Sequence, residues 1–230
     1  MNPRLPLFPL GTVLFPGLVL PLHIFEGRYR ELVRHLKGLP ENTPREFGVV
    51  AISSGSEVQP GPGSPVRTPV TLHEVGCTAE VRQVTELSDG RFDLVTVGRR
   101  RFRILDVDDR SAAYLTARIE WFPEPDGQEE AADLLAPRVL AAFRRYLALV
   151  RTDSDQITEQ LPEEPTVLSH LVAATAVLTV ADRQRLLATP DTAGRLRAEL
   201  RLLNREAALL RRVRAVPVPL VEFAVPPSPN

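Results

Sequence analysis

Short apolar runs separated by turn residues dominate the first half of the chain. Apolar side chains that alternate with polar ones, or form brief runs bounded by glycine and proline, are typical of strands. Such runs lie at residues 5–8, 47–52, 91–97 and 114–122. Asp89-Gly90 lies between residues 80–87 and 91–97, and this pair supplies the positive φ angles of a tight turn. The pattern predicts a sheet that contains this hairpin.

One helix is expected to interrupt the strands, at residues 28–37, where four apolar side chains recur at helical spacing before Gly38 and Pro40. After Trp121 the period changes from 2 to 3.6. Asp133 is predicted to cap a helix that tolerates Pro137 in its first turn. A second helix is expected at about 167–178, and a short third helix is expected to end near Ala188. Thr189-Pro190 is predicted to begin the last helix.

These changes of period divide the chain into three predicted parts. Residues 1–122 form a strand domain with one helix, residues 128–214 form a helical bundle, and residues 215–230 form a proline-rich tail. The stretch 53–69, rich in Gly, Ser and Pro, is predicted to be a loop. The fold class is therefore α+β, with strands first and helices after them.

Composition indicates an ordinary globular protein without a membrane segment. Of 230 residues, 43% are hydrophobic and 25% charged, and the net charge of −1 gives no global attraction to nucleic acid or anionic lipid. The apolar stretch 5–22 is broken by prolines, so it is not expected to span a membrane. Cys77 is the only cysteine, which excludes an internal disulfide and fits a cytoplasmic protein.

Residue types that carry catalysis or bind cofactors are sparse. Lys37 is the only lysine and lies outside any phosphate-binding loop motif, and no two of the four histidines have the one-turn spacing of a metal site. No plausible nucleophile and base occur together. We therefore expect no catalytic residue, no metal and no cofactor, and the sequence indicates a binding protein, not an enzyme.

A basic run offers a nucleic-acid alternative. In an extended strand Arg99, Arg101 and Arg103 share one face, while Phe102 and Ile104 share the other with Arg100. Three guanidiniums facing water could contact phosphates. A solvated sheet face paired with nearby acids is the favoured interpretation, so nucleic acid is not the expected partner.

Several segments resemble the amino-terminal, substrate-binding domain of Lon proteases. The opening LPLFPLGTVLFPGLVLPLHIFEGRY, residues 5–29, is similar to the first motif of that domain. VGCTAEV at 75–81, DGR at 89–91 and GRRRFRI at 98–104 resemble its later strands, and DRQRLL at 182–187 with RLRAEL at 195–200 resembles its helical part. The resemblance does not extend to the ATPase and peptidase parts of Lon, so we expect a protein similar to the stand-alone bacterial members of the family.

The resemblance implies a PUA-like, mixed but mainly antiparallel β-barrel followed by a C-terminal helical bundle. It also implies recognition of unfolded or tagged polypeptides, and an association with a protease or chaperone. Apolar side chains of two segments are the candidate contacts, with a purely structural role as the alternative: Phe8, Phe15, Pro16, Leu22, Phe25, Tyr29, Trp121 and Phe122. RNA binding through the basic run remains the second hypothesis, and weak homodimerisation through the last helix is compatible with either.

Overall fold

The structure, a computed structural model, describes residues 2–54, 71–125, 129–150 and 161–213. The chain forms two compact units. The strand unit comprises Met1–Pro125 and Val180–Pro190, and the helical unit comprises Asp126–Thr179 and Asp191–Asn230. The boundaries expected from the sequence, at 122 and 128, do not include the return of residues 180–190 to the strand unit.

Seven strands and two helices build the strand unit among the described residues. The strands are β1 Arg4–Leu10, β2 Val19–Ile24, β3 Glu46–Ser54, β4 Thr71–Leu72, β5 Val75–Glu86, β6 Phe92–Asp108 and β7 Thr116–Trp121. The helices are α1 Gly27–Lys37 and, from the later part of the chain, α4 Val180–Leu187. The predicted strands and the first helix are thus confirmed.

Five of the strands close into a ring. Their order is β1-β7-β6-β5-β3, with antiparallel neighbours, and β1 pairs with β3 in parallel to close it. β2 pairs with β6 outside this path, and the short β4 pairs with β3. The expected mixed, mainly antiparallel sheet followed by helices is confirmed.

The interior of the ring is filled by a small apolar cluster: Leu5, Leu7, Val50, Phe102, Ala117 and Ile119. Phe102 is fully buried and lies directly over two glycines. A Cβ on Gly76 would lie 2.5 Å from Cζ of Phe102, and one on Gly48 would lie 2.6 Å from the same atom. Both positions therefore exclude a larger residue because the phenyl ring occupies that space.

The hairpin predicted from Asp89-Gly90 joins β5 to β6. Glu86 pairs with Phe92 across it, and Gly90 has a φ of 76°, which a residue with a side chain rarely adopts. The carboxylate of Asp89 accepts a hydrogen bond from the backbone amide of Arg91 at 3.1 Å. This bond and the local ion pair hold the pKa of Asp89 below its usual range.

The helical unit consists of α2 Glu129–Val150, α3 Pro165–Thr175 and α5 Thr192–Val213 among its described residues. Its core is apolar and draws on all three helices: Val139, Phe143, Leu147, Leu168, Val172, Leu196 and Leu203. Glu164 precedes α3 and accepts hydrogen bonds from the amides of Thr166 and Val167, while Pro165 occupies the first turn, where its missing donor costs nothing.

Two predicted helix starts are wrong. α2 begins at Glu129, so Asp133 lies inside it and Pro137 lies in its interior instead of its first turn; buried Ala132 and Ala136 extend the apolar face backwards. α5 begins at Thr192 instead of Thr189-Pro190. The carboxylate of Asp191 caps it, accepting from the amide of Gly194 at 2.7 Å.

Most of the loop predicted at 53–69, the end of the predicted bundle at Arg214 and the tail at 215–230 lie outside the described residues. None of the helices in the described ranges has both the length and the apolar character needed to cross a bilayer.

Candidate functional site

Three of the predicted contact residues belong to the core of the strand unit. Phe8, Phe15 and Tyr29 are buried, and the rings of Phe8 and Tyr29 stack with centroids 4.0 Å apart. Phe8 also contacts Phe47 on β3, at a centroid distance of 5.7 Å. The rings of Phe8 and Tyr29 pack β1 against α1, and because all three side chains are buried they offer no accessible contact surface.

The other predicted residues of the amino-terminal segment reach the surface to different degrees. Pro16 and Leu22 are half-buried, whereas Phe25 leaves 51% of its surface exposed. The ring of Phe25 stacks on the imidazole of His23, with centroids 6.3 Å apart. Phe25 is thus the member of this segment with a freely accessible aromatic side chain.

Trp121 and Phe122 are half-buried, and guanidiniums of β6 lie over both rings. Arg100 lies 3.6 Å from the centroid of Trp121, and Arg101 and Arg103 lie 4.6 and 5.1 Å from that of Phe122. Cation–π contacts of this kind stabilise a side chain by about 0.5–2 kcal/mol. These two rings therefore already have partners within the strand unit.

The basic run does not form the continuous water-facing stripe expected from the sequence. Arg101 is buried, with 4% of its surface exposed. The reason is a bulge: Ala79 pairs with Gly98 but Cys77 pairs with Arg101, so β6 carries an extra residue between them. Because of this bulge, the side chain of Arg101 lies on the covered face of the sheet. Strict alternation along β6 would have placed Arg100 on that face instead. Arg99 and Arg103 are exposed, and Arg99 pairs with Glu80 at 2.9 Å.

Arg101 holds α4 against the sheet. Its Nη1 donates to the carbonyl oxygens of Leu187 and Thr189 at 2.8 and 2.5 Å, and its Nη2 donates to that of Pro190 at 2.9 Å. Nη2 also pairs with Glu124 at 2.8 Å. Carbonyls at a helix C-terminus lack intrahelical donors and carry partial negative charge, so a guanidinium fits there. This role, which we call the Arg101 clamp, is structural.

A different surface combines exposure with apolar character. Directly paired residues project to the same side of a sheet. Val19 pairs with Val97 and Pro21 pairs with Val95, so these four side chains lie together on one face. Val19 is 63% exposed, Pro21 and Val95 are also exposed, and Val97 is half-buried. We call these four residues the β2–β6 face.

Polar groups border the β2–β6 face on two sides. His23 pairs with Asp93 at 2.6 Å beyond Pro21 and Val95, and Phe25 extends past them. On the β5 side, Gln83 and Glu80 stand opposite Val95 and Val97, with Glu80 held by Arg99. An apolar strip with a polar border is the arrangement typical of a protein-binding surface.

Sequence reasoning missed Val19, Val95 and Val97. A signal for them existed, since a proline in the middle of a strand indicates an edge position, and Pro21 lies in the middle of β2. Residues 93, 95 and 97 alternate with buried Phe92, Leu94 and Thr96, which identifies the outward side of β6. Only the pairing of β2 with β6 shows that the two outward sides adjoin.

Two buried titratable groups are not part of this face. Burial raises the pKa of the Cys77 thiol to about 12, so Cys77 is not a nucleophile at neutral pH. Glu199 in the helical unit is 1% exposed, and neither carboxylate oxygen has a hydrogen-bond partner among the described residues. Burial raises the pKa of Glu199 well above its usual value, although the positive charge of buried Arg195, one turn earlier in the helix, acts to lower it. Within the described ranges, His, Cys, Asp and Glu form no group that could hold a metal ion.

Comparisons with known proteins agree on one family. The family model for the ATP-dependent protease La (LON) substrate-binding domain matches residues 4–205. Lon protease 2 of Sorangium cellulosum is 30% identical over 213 residues, covering 90% of this chain and 25% of the relative. Lon protease of Escherichia coli strain K12 is 26% identical over 220 residues, covering 92% of this chain and 26% of the relative. The chain thus spans about a quarter of the length of these curated relatives.

Solved structures show the same fold. The N-terminal domain of the Mycobacterium avium complex Lon protease superposes with a TM-score of 0.65 at 19% identity, covering 90% of this chain and 98% of that one. The Lon N-terminal domain protein from Xanthomonas campestris gives a TM-score of 0.55 at 23% identity, covering 88% and 98%. Because the family match extends through both compact units, the chain belongs to the family of Lon substrate-binding domains.

Proposed function

We propose that this protein binds unfolded polypeptide segments at the β2–β6 face and catalyses no reaction on them. The observation that carries the proposal is the exposed apolar strip of Val19, Pro21, Val95 and Val97 with its polar border. Unfolded chains expose apolar side chains that folded proteins bury, so such a strip can distinguish the two. Membership of a substrate-binding family supports the same function.

The bound chain would then pass to a protease or chaperone, as part of the same proposal. The curated relatives are named Lon proteases, and the region they share with this chain is the one matched as substrate-binding. Polypeptides marked by a terminal tag would be recognised in the same way if the tag is apolar.

Burial and ion pairing in the basic run disfavour the RNA alternative. Arg101 is in the clamp, and the side chains of Arg99 and Arg100 pair with Glu80 and Glu46 at 2.9 and 2.7 Å. Phosphate contacts would have to displace those carboxylates. RNA binding, if present, would fall steeply with salt, whereas apolar binding would persist.

The test is fluorescence anisotropy with a labelled polypeptide kept unfolded by reduction and carboxymethylation of its cysteines. Val19→Asp and Val95→Asp place a charge in the strip, and each should weaken binding about tenfold or more, equivalent to about 1.4 kcal/mol. Leu134→Asp is the matched control, since Leu134 is a 76% exposed apolar residue of α2 in the other unit. Equal affinity for all three variants and the unmodified protein would refute the proposed site.

A further inference from the structure

In the described part of the chain, one edge of β2 has no strand paired to it. Among the residues that the structure describes, β2 is hydrogen-bonded as a strand to β6 alone. Exposure alternates along β2, with Val19, Pro21 and His23 exposed and the residues between them more buried. An edge strand of this kind presents backbone donors and acceptors that another extended chain can use.

The register of β2 shows which backbone groups face outward. The amide of Gly98 donates to the carbonyl oxygen of Leu18 at 2.8 Å, and the pairing continues as Leu20 with Thr96 and Leu22 with Leu94. In an antiparallel pair, alternate residues direct both backbone groups to the partner strand. The amides and carbonyls of Val19 and His23, and the carbonyl of Pro21, therefore point away from β6.

Pro21 agrees with this assignment. A proline has no amide hydrogen, so it is tolerated in a strand where that hydrogen would face away from the ladder. The same proline makes the edge selective. The carbonyl oxygen of Pro21 can accept a hydrogen bond from an added strand, but Pro21 has no amide hydrogen to donate in return.

We propose that the bound polypeptide adds to the sheet as an extended strand along this free edge of β2. The inference rests on the proposed function and specifies how the β2–β6 face takes its ligand. Backbone pairing would involve Val19, Pro21 and His23, while alternate side chains of the ligand lie beside those of Val19 and Pro21 and extend the apolar strip that these form with Val97 and Val95 on β6. Strand addition obtains affinity from backbone hydrogen bonds and specificity from alternate side chains, which suits a module that accepts many sequences.

The face beside the edge defines the preferred ligand. A ligand residue in register with Val19 or Pro21 lies next to the apolar strip, whereas one in register with His23 lies next to the His23–Asp93 pair. The best ligand therefore has two apolar residues in alternate positions and a polar residue in the next alternate position, which follows them if the added strand is parallel to β2 and precedes them if it is antiparallel.

A second copy of this chain fits the edge less well. In a two-fold antiparallel pairing centred on Pro21, two prolines face each other and both carbonyls lack donors. Shifting the pairing opposes Pro21 to Val19, and each Val19 carbonyl then loses its donor. A ligand with an ordinary residue at that position supplies the amide that Pro21 needs, so an unrelated extended polypeptide is the better occupant.

An N-methyl scan tests strand addition without altering the protein. The probe is a short fluorescein-labelled peptide in which valine alternates with threonine, with a lysine at each end. A shift of register by one residue would turn the threonines onto the apolar face, so the alternation fixes which amides point at β2. Single N-methylations should weaken binding about tenfold or more at one set of alternate positions and leave the other set unchanged. Loss at valine positions indicates antiparallel addition, and loss at threonine positions indicates parallel addition.

The outcomes separate this inference from the proposed function. Similar effects of N-methylation at every position, with binding still sensitive to Val19→Asp but not to Leu134→Asp, would overturn strand addition and leave the apolar site in place. Failure of both the peptide and the unfolded polypeptide to bind would overturn both. Sedimentation velocity provides a further arm: a dimer that the peptide dissociates would identify a second copy as the occupant and refute our choice.

Discussion

The guanidinium of Arg101 on β6 donates to the carbonyl oxygen of Leu187 at 2.8 Å, so the last residue of α4 is bound to a strand residue that lies 86 positions earlier in the chain. Gln184 adds a second bond, from its Nε2 to the carbonyl oxygen of Val75 at 2.8 Å. The strand unit is therefore completed by a helix that follows most of the helical unit in sequence.

Arg101→Ala should strongly destabilise the protein. The substitution leaves the carbonyls of Leu187, Thr189 and Pro190 without this donor and removes the ion pair to Glu124. A hydrogen bond that involves a charged group stabilises the folded state by about 1.5–3 kcal/mol, so the loss of these bonds should lower the unfolding free energy by about 3 kcal/mol or more. Denaturation in guanidinium chloride, followed by circular dichroism, measures the loss.

Arg110→Ala is the control for the clamp, because the side chain of Arg110 is 94% exposed and its ion pair with Asp109 is long at 3.8 Å. It should change the unfolding free energy by less than about 0.5 kcal/mol. A similar, small effect of both substitutions would mean that the Arg101 clamp does not hold the unit together.

Gly98→Ala should also destabilise the strand unit. A Cβ at this position would overlap the carbonyl oxygen of Phe15, where the segment after β1 crosses β6. Relieving the overlap requires a backbone shift, at a cost of about 1–3 kcal/mol or more. Gly27→Ala, where a Cβ meets nothing within 4 Å, should leave stability unchanged or raise it by up to about 1 kcal/mol. Thermal unfolding of the two variants side by side provides the comparison.

Glu199→Gln should stabilise the protein at alkaline pH and have little effect in acid. Burial raises the pKa of Glu199 in the folded state above its usual value of 4.5. A raised folded-state pKa means that the stabilisation is complete below the unfolded-state pKa and is lost as pH rises through the folded-state pKa. Glutamine resembles the protonated form of Glu199 at every pH, so the unfolding free energy of the variant does not fall in this way as pH rises.

The readout for Glu199 is unfolding free energy as a function of pH. Exposed Glu163 provides the control, and the curve for Glu163→Gln should match that of the unmodified protein. If the difference between Glu199→Gln and the unmodified protein did not grow with rising pH, the carboxyl group would have to be charged without penalty in the folded state.

Cys77 should resist alkylation while the protein is folded. Its thiol is fully buried, and its pKa of about 12 leaves almost no thiolate at about pH 8. Iodoacetamide should therefore label it only after denaturant is added, and mass spectrometry of the intact protein follows the reaction. Rapid labelling without denaturant would show that β5 opens locally in the folded state.

Local chemistry accounts for what could be predicted from the sequence. Asp89-Gly90 identified the hairpin because its turn depends on the two residues themselves. The predicted start of α5 was wrong although Thr189-Pro190 has the local features of a helix start. In the structure the backbone carbonyls of these two residues accept hydrogen bonds from Arg101, which is distant in sequence. A contact between residues so far apart in sequence has no local signature.

The candidate site was harder to predict for a related reason. The prediction favoured aromatic residues and so selected Phe8, Phe15 and Tyr29, which are buried in the core. The face that the structure exposes is made of one proline and three valines, and valine is a residue type that is most often buried. Their exposure follows from β2 lying beside β6 at the edge, which is a property of the topology.

The position of α4 in the chain also has a consequence for synthesis. The chain passes from the strand unit to the helical unit, returns for residues 180–190, and leaves again. Translation proceeds from the amino end, and domains generally fold as their residues emerge from the ribosome. The strand unit therefore cannot complete its folding until residue 190 has emerged, because the carbonyl acceptors of Arg101 have not been synthesised before then. The Arg101 clamp forms only after most of the helical unit has been translated.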